Sequence, residues 1–139
     1  MLLCKQAKSS IGKDTINAVR IILLSMTTSP EDNMEIEVIN EYAQKFLNEW
    51  ILNHNFITVF IFKVLRTLNY FILSKYTQAY DQITRAKKYV NYATGSYTIC
   101  EFNFYESLVL CALSTTAESH TRQEYIRQIK ANQKQMKSW

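Results

Sequence analysis

The amino-acid sequence predicts an all-α fold made of stacked antiparallel helical hairpins. Two glycines and one proline among 139 residues leave too few turn-forming residues for a sandwich or barrel of short strands. Apolar residues recur instead at helical spacing along most of the chain. At this length we expect one unit, residues 1–139, that is large enough to bury a core.

The first predicted helices are separated by a break near the N-terminus. Residues 2–8 have helical character, and Ser9, Ser10 and Gly12 end this short segment. Asp14 has the residue type of an N-cap and precedes a second helix. The apolar positions of that helix are Ile16, Val19, Ile22, Leu23 and Met26.

A proline marks the expected start of the next helix. Ser29 is the predicted cap, Pro30 suits the first helical position, and the acidic Glu31 and Asp32 fall in the first turn. Apolar residues continue the helical period as far as residue 53. They are Ile36, Ile39, Tyr42, Ala43, Phe46, Leu47 and Trp50.

Two further hairpins are predicted in the second half of the chain. The first pairs residues 56–74 with residues 77–93, after a polar joint at residues 53–55. The second pairs residues 98–113 with a C-terminal helix that is capped by Ser119 or Thr121. Because one hairpin cannot bury its own apolar face, and because neither end shows a polar capping helix, we expect a section of a longer array.

Small residues in the first of these hairpins have tetratricopeptide-like spacing. Residues at the packing offsets of such a hairpin are Tyr70, Tyr76, Ala79, Ile83 and Ala86. Ala79 and Ala86 let the two helices approach closely, and the larger side chains fill the space between them. Gly95 suits the left-handed residue that ends the hairpin. The sequence therefore predicts a fragment of a tetratricopeptide-like (TPR-like) α-solenoid.

The most apolar run, residues 56–73, does not have the composition of a membrane span. Lys63, Arg66 and Asn69 interrupt it at a spacing of three residues, which places them along one helix stripe. Two cations near the centre of a bilayer would cost several kcal/mol. We expect a buried helix of a soluble protein and no membrane span.

The cysteines indicate a reducing compartment. Cys4, Cys100 and Cys111 are an odd number, form no CxxC pair and have no histidine at metal-ligand spacing. Cys100 and Cys111 lie among apolar residues, where cysteine behaves as a small hydrophobic residue. We therefore expect a cytoplasmic protein with no disulfide framework, no metal site and no cofactor.

The C-terminal helix is the most basic part of a chain whose net charge is +4. Its cations are Arg122, Arg127, Lys130, Lys134 and Lys137, and Glu124 is the one acidic residue after Ser119. These cations are candidate contacts for an anionic partner such as nucleic acid. The simpler interpretation is the solvated face of an ordinary helix.

An aromatic group near the start of the helix at residues 98–113 has two interpretations. The group consists of Tyr97, Phe102, Phe104 and Tyr105. In the first interpretation the group lines a groove for a partner, as concave repeat surfaces do. In the second it forms core between adjacent hairpins. Core is the preferred interpretation, and the group is also the best candidate for partner binding.

No recognisable catalytic constellation is present in the sequence. Gly12 and Gly95 are the only glycines, so neither a Walker A loop nor a kinase glycine-rich loop can be built. His54 and His120 lie in predicted loops or caps without a partner carboxylate at a suggestive spacing. Glu101, Glu106 and Asp81 are an unconvincing acid–base set, because the two glutamates are five residues apart on one helix and do not share a face.

One run of residues, within 76–139, resembles a known family. The residues that carry the resemblance are Tyr76, Gln78, Ala79, Ala86, Lys88, Tyr89, Gly95, Phe102, Phe104, Tyr105, Ser107, Leu108, Ala112, Leu113, Ala131, Asn132, Gln133, Met136 and Trp139. The run is similar to the helical-repeat region of very large signalling proteins, common in cyanobacteria. These proteins join a serine/threonine kinase, an AAA-type predicted ATPase and often a sensor histidine kinase.

The resemblance implies a noncatalytic segment for this chain. In the parent family the catalytic activities belong to other domains, and the helical repeats would bind neighbouring repeats, other domains or a protein partner. An alternative is a stand-alone basic module that binds nucleic acid or an acidic partner through its C-terminal helix; nucleic acid is disfavoured because no recognition-helix motif precedes the cations. A small helical enzyme is a third, weaker hypothesis.

Overall fold

Six α-helices and one 3-10 helix make up the described part of the computed structural model, residues 2–29 and 31–138, with side chains described from residue 11 onward. The α-helices are α1 (Leu2–Thr27), α2 (Asn33–Leu52), α3 (Phe56–Ile72), α4 (Tyr76–Ala86), α5 (Thr98–Ser114) and α6 (Ser119–Met136). The 3-10 helix spans Lys87–Ala93 and continues α4. No strand occurs among these residues, so the predicted all-α class is confirmed.

The predicted break near the N-terminus is wrong, because α1 runs without interruption from Leu2 to Thr27. A glycine inside a helix costs only about 1 kcal/mol, and burial of the Ala18 and Ile21 side chains favours the continuous helix. Asp14 is therefore not an N-cap. Its carboxylate accepts a hydrogen bond of 2.8 Å from Asn55 Nδ2, which ties α1 to the start of α3.

The helix predicted to begin at Pro30 begins three residues later, at Asn33. Its N-cap is Asp32, whose Oδ1 accepts from the backbone N–H of Glu35 at 3.0 Å, and not Ser29. The aspartate cap satisfies one of the free N–H groups at the start of the helix, and the negative charges of Asp32 and Glu35 complement the helix dipole. The expectation for Pro30 itself lies outside the described residues.

Two joints in the middle of the chain have the same geometry. After α2, His54 takes a φ of 55° and the N–H of Asn55 donates to the carbonyl of Trp50 at 2.8 Å. After α3, Ser74 takes a φ of 57° and the N–H of Lys75 donates to the carbonyl of Tyr70 at 2.8 Å. Both are Schellman motifs, which close a helix with one left-handed residue.

The helix predicted over residues 77–93 changes its winding halfway. It is α-helical to Ala86 and 3-10 from Lys87 to Ala93. Residues three apart eclipse each other in a 3-10 helix, so Lys87, Val90 and Ala93 form one row. Gly95 follows with a φ of 81°, which confirms the predicted left-handed residue.

The central helix α3 contributes to two hydrophobic clusters. On one side Phe62 joins α1 and α2, and its ring lies 5.6 Å from that of Trp50. On the other side Phe60 joins α4 and α5, and its ring lies 5.6 Å from that of Phe102. A helix that is apolar around most of its circumference is expected to be surrounded, as α3 is.

The helices pack in the order of the chain. Within the described residues, α3 lies against α1, α2, α4 and α5, and α5 lies against α3, α4 and α6. No Cα atom of α2 lies within 8 Å of a Cα atom of α4, and the same holds for α4 and α6. Each helix therefore contacts only its next or next-but-one neighbour.

None of the helices in the described ranges combines the length and the apolar character that a bilayer crossing requires.

Candidate functional site

Glu106 lies at the centre of a buried polar network between the 3-10 helix, α5 and α6. Its side chain is 2% exposed, and its Oε1 lies 2.5 Å from Lys87 Nζ. Its Oε2 accepts hydrogen bonds from Asn132 Nδ2 at 2.8 Å and Gln128 Nε2 at 3.3 Å. A carboxylate is tolerated inside a protein only with such partners, so the charge of Glu106 joins three elements.

Asn132 extends the network along α5. Its Nδ2 also lies 3.3 Å from Ser107 Oγ and 3.4 Å from the carbonyl oxygen of Asn103. Its Oδ1 accepts from Gln128 Nε2 at 3.0 Å. Gln128 and Asn132 are four residues apart on α6, which places both side chains on the face toward α5. The amide of Asn132 is therefore held on both of its polar atoms.

An open groove with a volume of about 670 Å³ surrounds this network. We call it the Glu106 groove, and its apolar side chains are Val90, Ile99 and Phe102. Its further polar side chains are Lys87, Asn91, Thr94, Asn103 and Gln135. Carboxamide and hydroxyl groups both donate and accept hydrogen bonds, so the groove can pair with backbone-like amides as well as bury apolar surface.

The structure separates the four predicted aromatic residues. Phe102 belongs to the core beside Phe60 and also lines the Glu106 groove. Tyr105 is half-buried against the same core, and its ring lies 5.7 Å from that of Phe104. Tyr97 and Phe104 are exposed, at 76% and 49%. The aromatic group is thus not one surface.

The predicted acid–base candidates have separate surroundings. Asp81 forms an exposed ion pair with Arg85 at 2.8 Å, whereas the carboxylate of Glu106 is held within the buried network. Burial raises the pKa of the Glu101 carboxyl, and burial together with the charge of Glu101 raises the pKa of Tyr105.

Both histidines lie at the surface. His54 takes the left-handed position of the α2–α3 joint, with its ring 5.6 Å from that of Phe56. His120 lies in the first turn of α6, with its Nδ1 3.8 Å from Glu124 Oε1. Both side chains are exposed, so neither ring is held in a fixed, desolvated position for proton transfer.

The cations of α6 fall into two groups. Arg122 donates to the carbonyl oxygens of Ser114 and Ala117 at 2.9 and 3.1 Å and so closes the α5–α6 joint. The other four are exposed, and within the described residues none forms an ion pair: Arg127, Lys130, Lys134 and Lys137. Their spacing places them on the face of α6 opposite Asn132.

Sequence reasoning missed Lys87, Gln128 and the role of Asn132. Asn132 falls within the apolar stripe formed by Tyr125, Ile129 and Met136. A polar residue on an inward stripe requires a buried partner, and this was the available signal. For the partner itself, Glu106, the sequence contained no such signal.

Comparison with protein-family models, with curated proteins and with solved structures finds no match to this chain. Within the described residues, no group of three histidine, cysteine or acidic side chains is arranged to hold a metal ion.

Proposed function

We propose that this chain is a noncatalytic helical-repeat module that binds a protein partner. The observation that carries the proposal is the packing order, in which each helix contacts only its next or next-but-one neighbour. Such packing is typical of repeat proteins, whose extended surfaces serve recognition. A TPR-like arrangement, with α1–α2, α3–α4 and α5–α6 as successive hairpins, fits this order.

The Glu106 groove is the proposed binding surface, and an extended peptide segment of the partner is the proposed occupant. Carboxamides of Asn91 and Gln135 at the groove offer donors and acceptors to a peptide backbone. Val90 and Ile99 offer apolar contact to its side chains. The ion pair of the buried Glu106 with Lys87 holds the walls at a fixed separation, which lowers the entropic cost of binding.

Binding at this groove would engage the 3-10 helix, α5 and α6 together. In a signalling protein of the kinase and ATPase type that the sequence resembles, a rigid stack would pass such an event between domains. The proposed mechanism is therefore coupling by packed helices, with the chemistry done elsewhere.

Two matched glutamine substitutions test the groove. Gln135 lines the groove and Gln133 does not, although both are exposed residues of α6. Short random peptides displayed on phage would be selected on the purified chain and then measured on Gln135→Arg and Gln133→Arg. We expect Gln135→Arg to weaken binding by about tenfold or more, because it fills the groove and adds a second positive charge to the lining that includes Lys87, and Gln133→Arg to leave binding unchanged.

Two outcomes would contradict this function. One is equal loss, or no loss, in both variants, which would place peptide binding elsewhere. The other is ATP hydrolysis or self-phosphorylation by the purified chain, which would make it an enzyme.

A second candidate function is nucleic-acid binding by the basic face of α6. The observation in its favour is the row of Arg127, Lys130, Lys134 and Lys137, exposed on one face with no acidic partner among the described residues. Phosphate contacts by four cations would make the affinity fall steeply with salt.

Fluorescence anisotropy with labelled double-stranded DNA tests this candidate. Binding at low salt that weakens as salt rises, and that is reduced in Lys130→Gln and Lys134→Gln, would support it. Absence of binding at low salt would remove it. Arg122→Gln is not a suitable control, because Arg122 closes the α5–α6 joint.

A further inference from the structure

Helices α1 and α2 carry most of the large apolar side chains that the described part of the chain leaves exposed. Of the seventeen such side chains, eleven belong to these two helices. Single exposed apolar residues are normal on a protein surface, whereas a contiguous set marks a contact with another molecule. The outer faces of α1 and α2 are therefore the surfaces to consider for a partner.

Four of the exposed side chains on α1 form one stripe along the helix. They are Ile16, Val19, Leu23 and Met26, and their exposed fractions are 69%, 39%, 56% and 42%. Successive spacings of three, four and three residues are those of the a and d positions of a heptad, so all four lie on one side of the helix. We call this set the α1 stripe. It has the pattern of a surface that packs against another helix.

Three exposed side chains on α2 form a second apolar row. Met34, Val38 and Tyr42 recur every four residues, and their exposed fractions are 79%, 60% and 46%. Rows with this spacing are the ridges that pack into the grooves of a neighbouring helix. We call this row the α2 ridge. The buried side chains of α2, Ala43 and Trp50, lie on another side of the helix, so the ridge points away from the core.

The charges beside the α1 stripe are positive. Lys13 lies three residues before Ile16 and Arg20 three residues before Leu23, so each is a neighbour of the stripe on the helix surface. Both cations are exposed, and neither forms an ion pair with a described residue. Asp14 is the one acidic residue among residues 11–27, and its carboxylate accepts from Asn55 at the start of α3.

The charges beside the α2 ridge are mainly negative. Glu37 lies three residues after Met34, and Glu35 and Glu41 lie three residues before and after Val38. All three glutamates are exposed, and none forms an ion pair with a described residue. Lys45 is the one cation of α2. The ridge is thus an apolar row in a negative surface.

The signs of these charges decide which surface can cover which. Two α1 stripes packed on each other would bring only cations to the contact, and two α2 ridges would bring mainly carboxylates, and such like-charge contacts are unfavourable. An α1 stripe packed on an α2 ridge joins apolar side chains to apolar side chains and cations to carboxylates. Because every copy of the chain has both surfaces, two copies can form both contacts at once about a twofold axis.

We propose that this chain forms a homodimer in which the α1 stripe of each copy packs on the α2 ridge of the other. The two α1–α2 hairpins then form a four-helix contact of the kind found in helix bundles. Neither helix lines the Glu106 groove, so the dimer has two open grooves. A partner with two peptide segments would bind such a dimer more tightly than it binds a single copy.

Sedimentation equilibrium of the whole chain tests the association. We expect the average mass to rise from that of the monomer toward that of the dimer between about 5 and about 500 µM. Leu23→Gln should weaken the dimer by about tenfold or more, since the change occurs in both contacts. Ile126→Gln, at an exposed aliphatic residue of α6, is the control and should leave the association unchanged.

Paired charge reversals test which surfaces meet. One variant carries Lys13→Glu with Arg20→Glu, and the other carries Glu37→Lys with Glu41→Lys. Each variant alone should stay monomeric over the same range at low salt, because like charges then face each other in both contacts. An equimolar mixture of the two should form the dimer again, since each contact then pairs opposite charges. Circular dichroism of each variant checks that these exposed substitutions leave the fold intact.

Three results would overturn the proposal: a monomeric mass at every concentration, equal effects of Leu23→Gln and Ile126→Gln, or a mixture of the charge-reversed variants that stays monomeric. The first result would leave the two surfaces to a different protein or to a further repeat. Below the dissociation constant both surfaces are uncovered, and the chain is then a monomer with loosely held α1 and α2. Peptide binding at the Glu106 groove is tested separately by the Gln135 variant and does not depend on these results.

Discussion

At the scale of single residues, Glu106 and Lys87 are unequal members of their ion pair. The glutamate side chain is 2% exposed and the lysine side chain is 46% exposed. If the carboxylate of Glu106 is removed, the ammonium group of Lys87 can reach water. If the ammonium group of Lys87 is removed, the carboxylate of Glu106 remains buried and keeps only the amide donors of Gln128 and Asn132.

Lys87→Met is therefore expected to destabilise the protein more than Glu106→Gln. We expect a loss of about 3 kcal/mol for Lys87→Met and about 1 kcal/mol for Glu106→Gln. Urea unfolding followed by far-ultraviolet circular dichroism measures both free energies of unfolding. Lys88→Met, a change at the next residue, which forms no ion pair with any described residue, is the control and should be near neutral. The reverse order for the two test variants would show that the amides alone satisfy the buried carboxylate.

Lys63 is a second buried charge, on α3. Burial, and after it the positive charges of Arg85 and Arg66, lower the pKa of its ammonium from 10.5 to about 8, while Asp81 acts in the opposite direction. The folded chain thus loses this proton at a lower pH than the unfolded chain. The buried charge costs stability below pH 8, and the cost is relieved as pH rises through the interval from 8 to 10.5.

A comparison with Lys63→Met across this interval tests the effect. Relative to Lys63→Met, the wild-type free energy of unfolding should increase by about 1–2 kcal/mol between pH 8 and 10.5, after an allowance for solvent screening among the neighbouring cations. Urea titrations of both proteins at several pH values give the difference directly. A difference that does not change with pH would mean that Lys63 is as well solvated as in the unfolded chain.

At the scale of elements, the two glycines of the chain occupy different backbone conformations. Gly95 takes a φ of 81°, and a Cβ added there would meet nothing within 4 Å. Gly12 lies inside α1, and a Cβ there would also meet nothing within 4 Å. The two sites differ only in backbone conformation, so they isolate its contribution.

Alanine at the two glycines is expected to have opposite effects. Gly95→Ala should destabilise the protein by about 1–2 kcal/mol, because an alanine is strained in the left-handed region. Gly12→Ala should stabilise it by about 0.5–1 kcal/mol, because alanine favours a helix interior. Thermal unfolding by calorimetry measures both, and each variant is the control for the other. A stabilising Gly95→Ala would show that the turn relaxes to another conformation.

The helices that the sequence located best are those bounded by strong local signals. The polar joint at Asn55 and the glycine at residue 95 placed α3 and α5 to within one or two residues. Gly12 led to the wrong prediction of a break in α1, because the small cost of a helical glycine is outweighed by the apolar packing of this helix. The change to 3-10 winding at Lys87 has no local signal, since residues 77–93 keep one apolar period.

The site was harder to predict than the fold, for a physical reason. In the sequence, Glu106 lies 19 residues after Lys87 and 26 residues before Asn132. Helical periodicity reports which face a residue occupies and not which distant residue faces it.

At the scale of the whole molecule, the N-terminal helices are less firmly held than the central ones. The buried side chains of α2 are Ala43 and Trp50, whereas α3 buries eight. Several large apolar side chains remain exposed on α1 and α2, including Leu23, Met34 and Val38. Regions with few buried contacts open with a lower free energy than the core.

Hydrogen exchange should therefore be graded along the chain. We expect the amides of α2 to exchange faster than those of α3 and α5, because α2 can detach without opening the cluster around Phe60 and Phe102. Mass spectrometry of peptic fragments after exchange in heavy water measures the order. Equal protection of α2 and α3 would indicate a single cooperative unit and would contradict the stepwise packing inferred here.

The span of the Glu106 network also has a consequence for synthesis on the ribosome. Chains emerge from the N-terminus at about 5–20 residues per second, so α3 and α4 can pair while later residues are still being added. The carboxylate of Glu106 meets Lys87 first, and its amide donors Gln128 and Asn132 arrive only with α6. A nascent chain that stops before α6 can form paired helices but lacks one wall of the groove. The groove is thus the last feature to form, and it exists only on a chain that has been translated through α6.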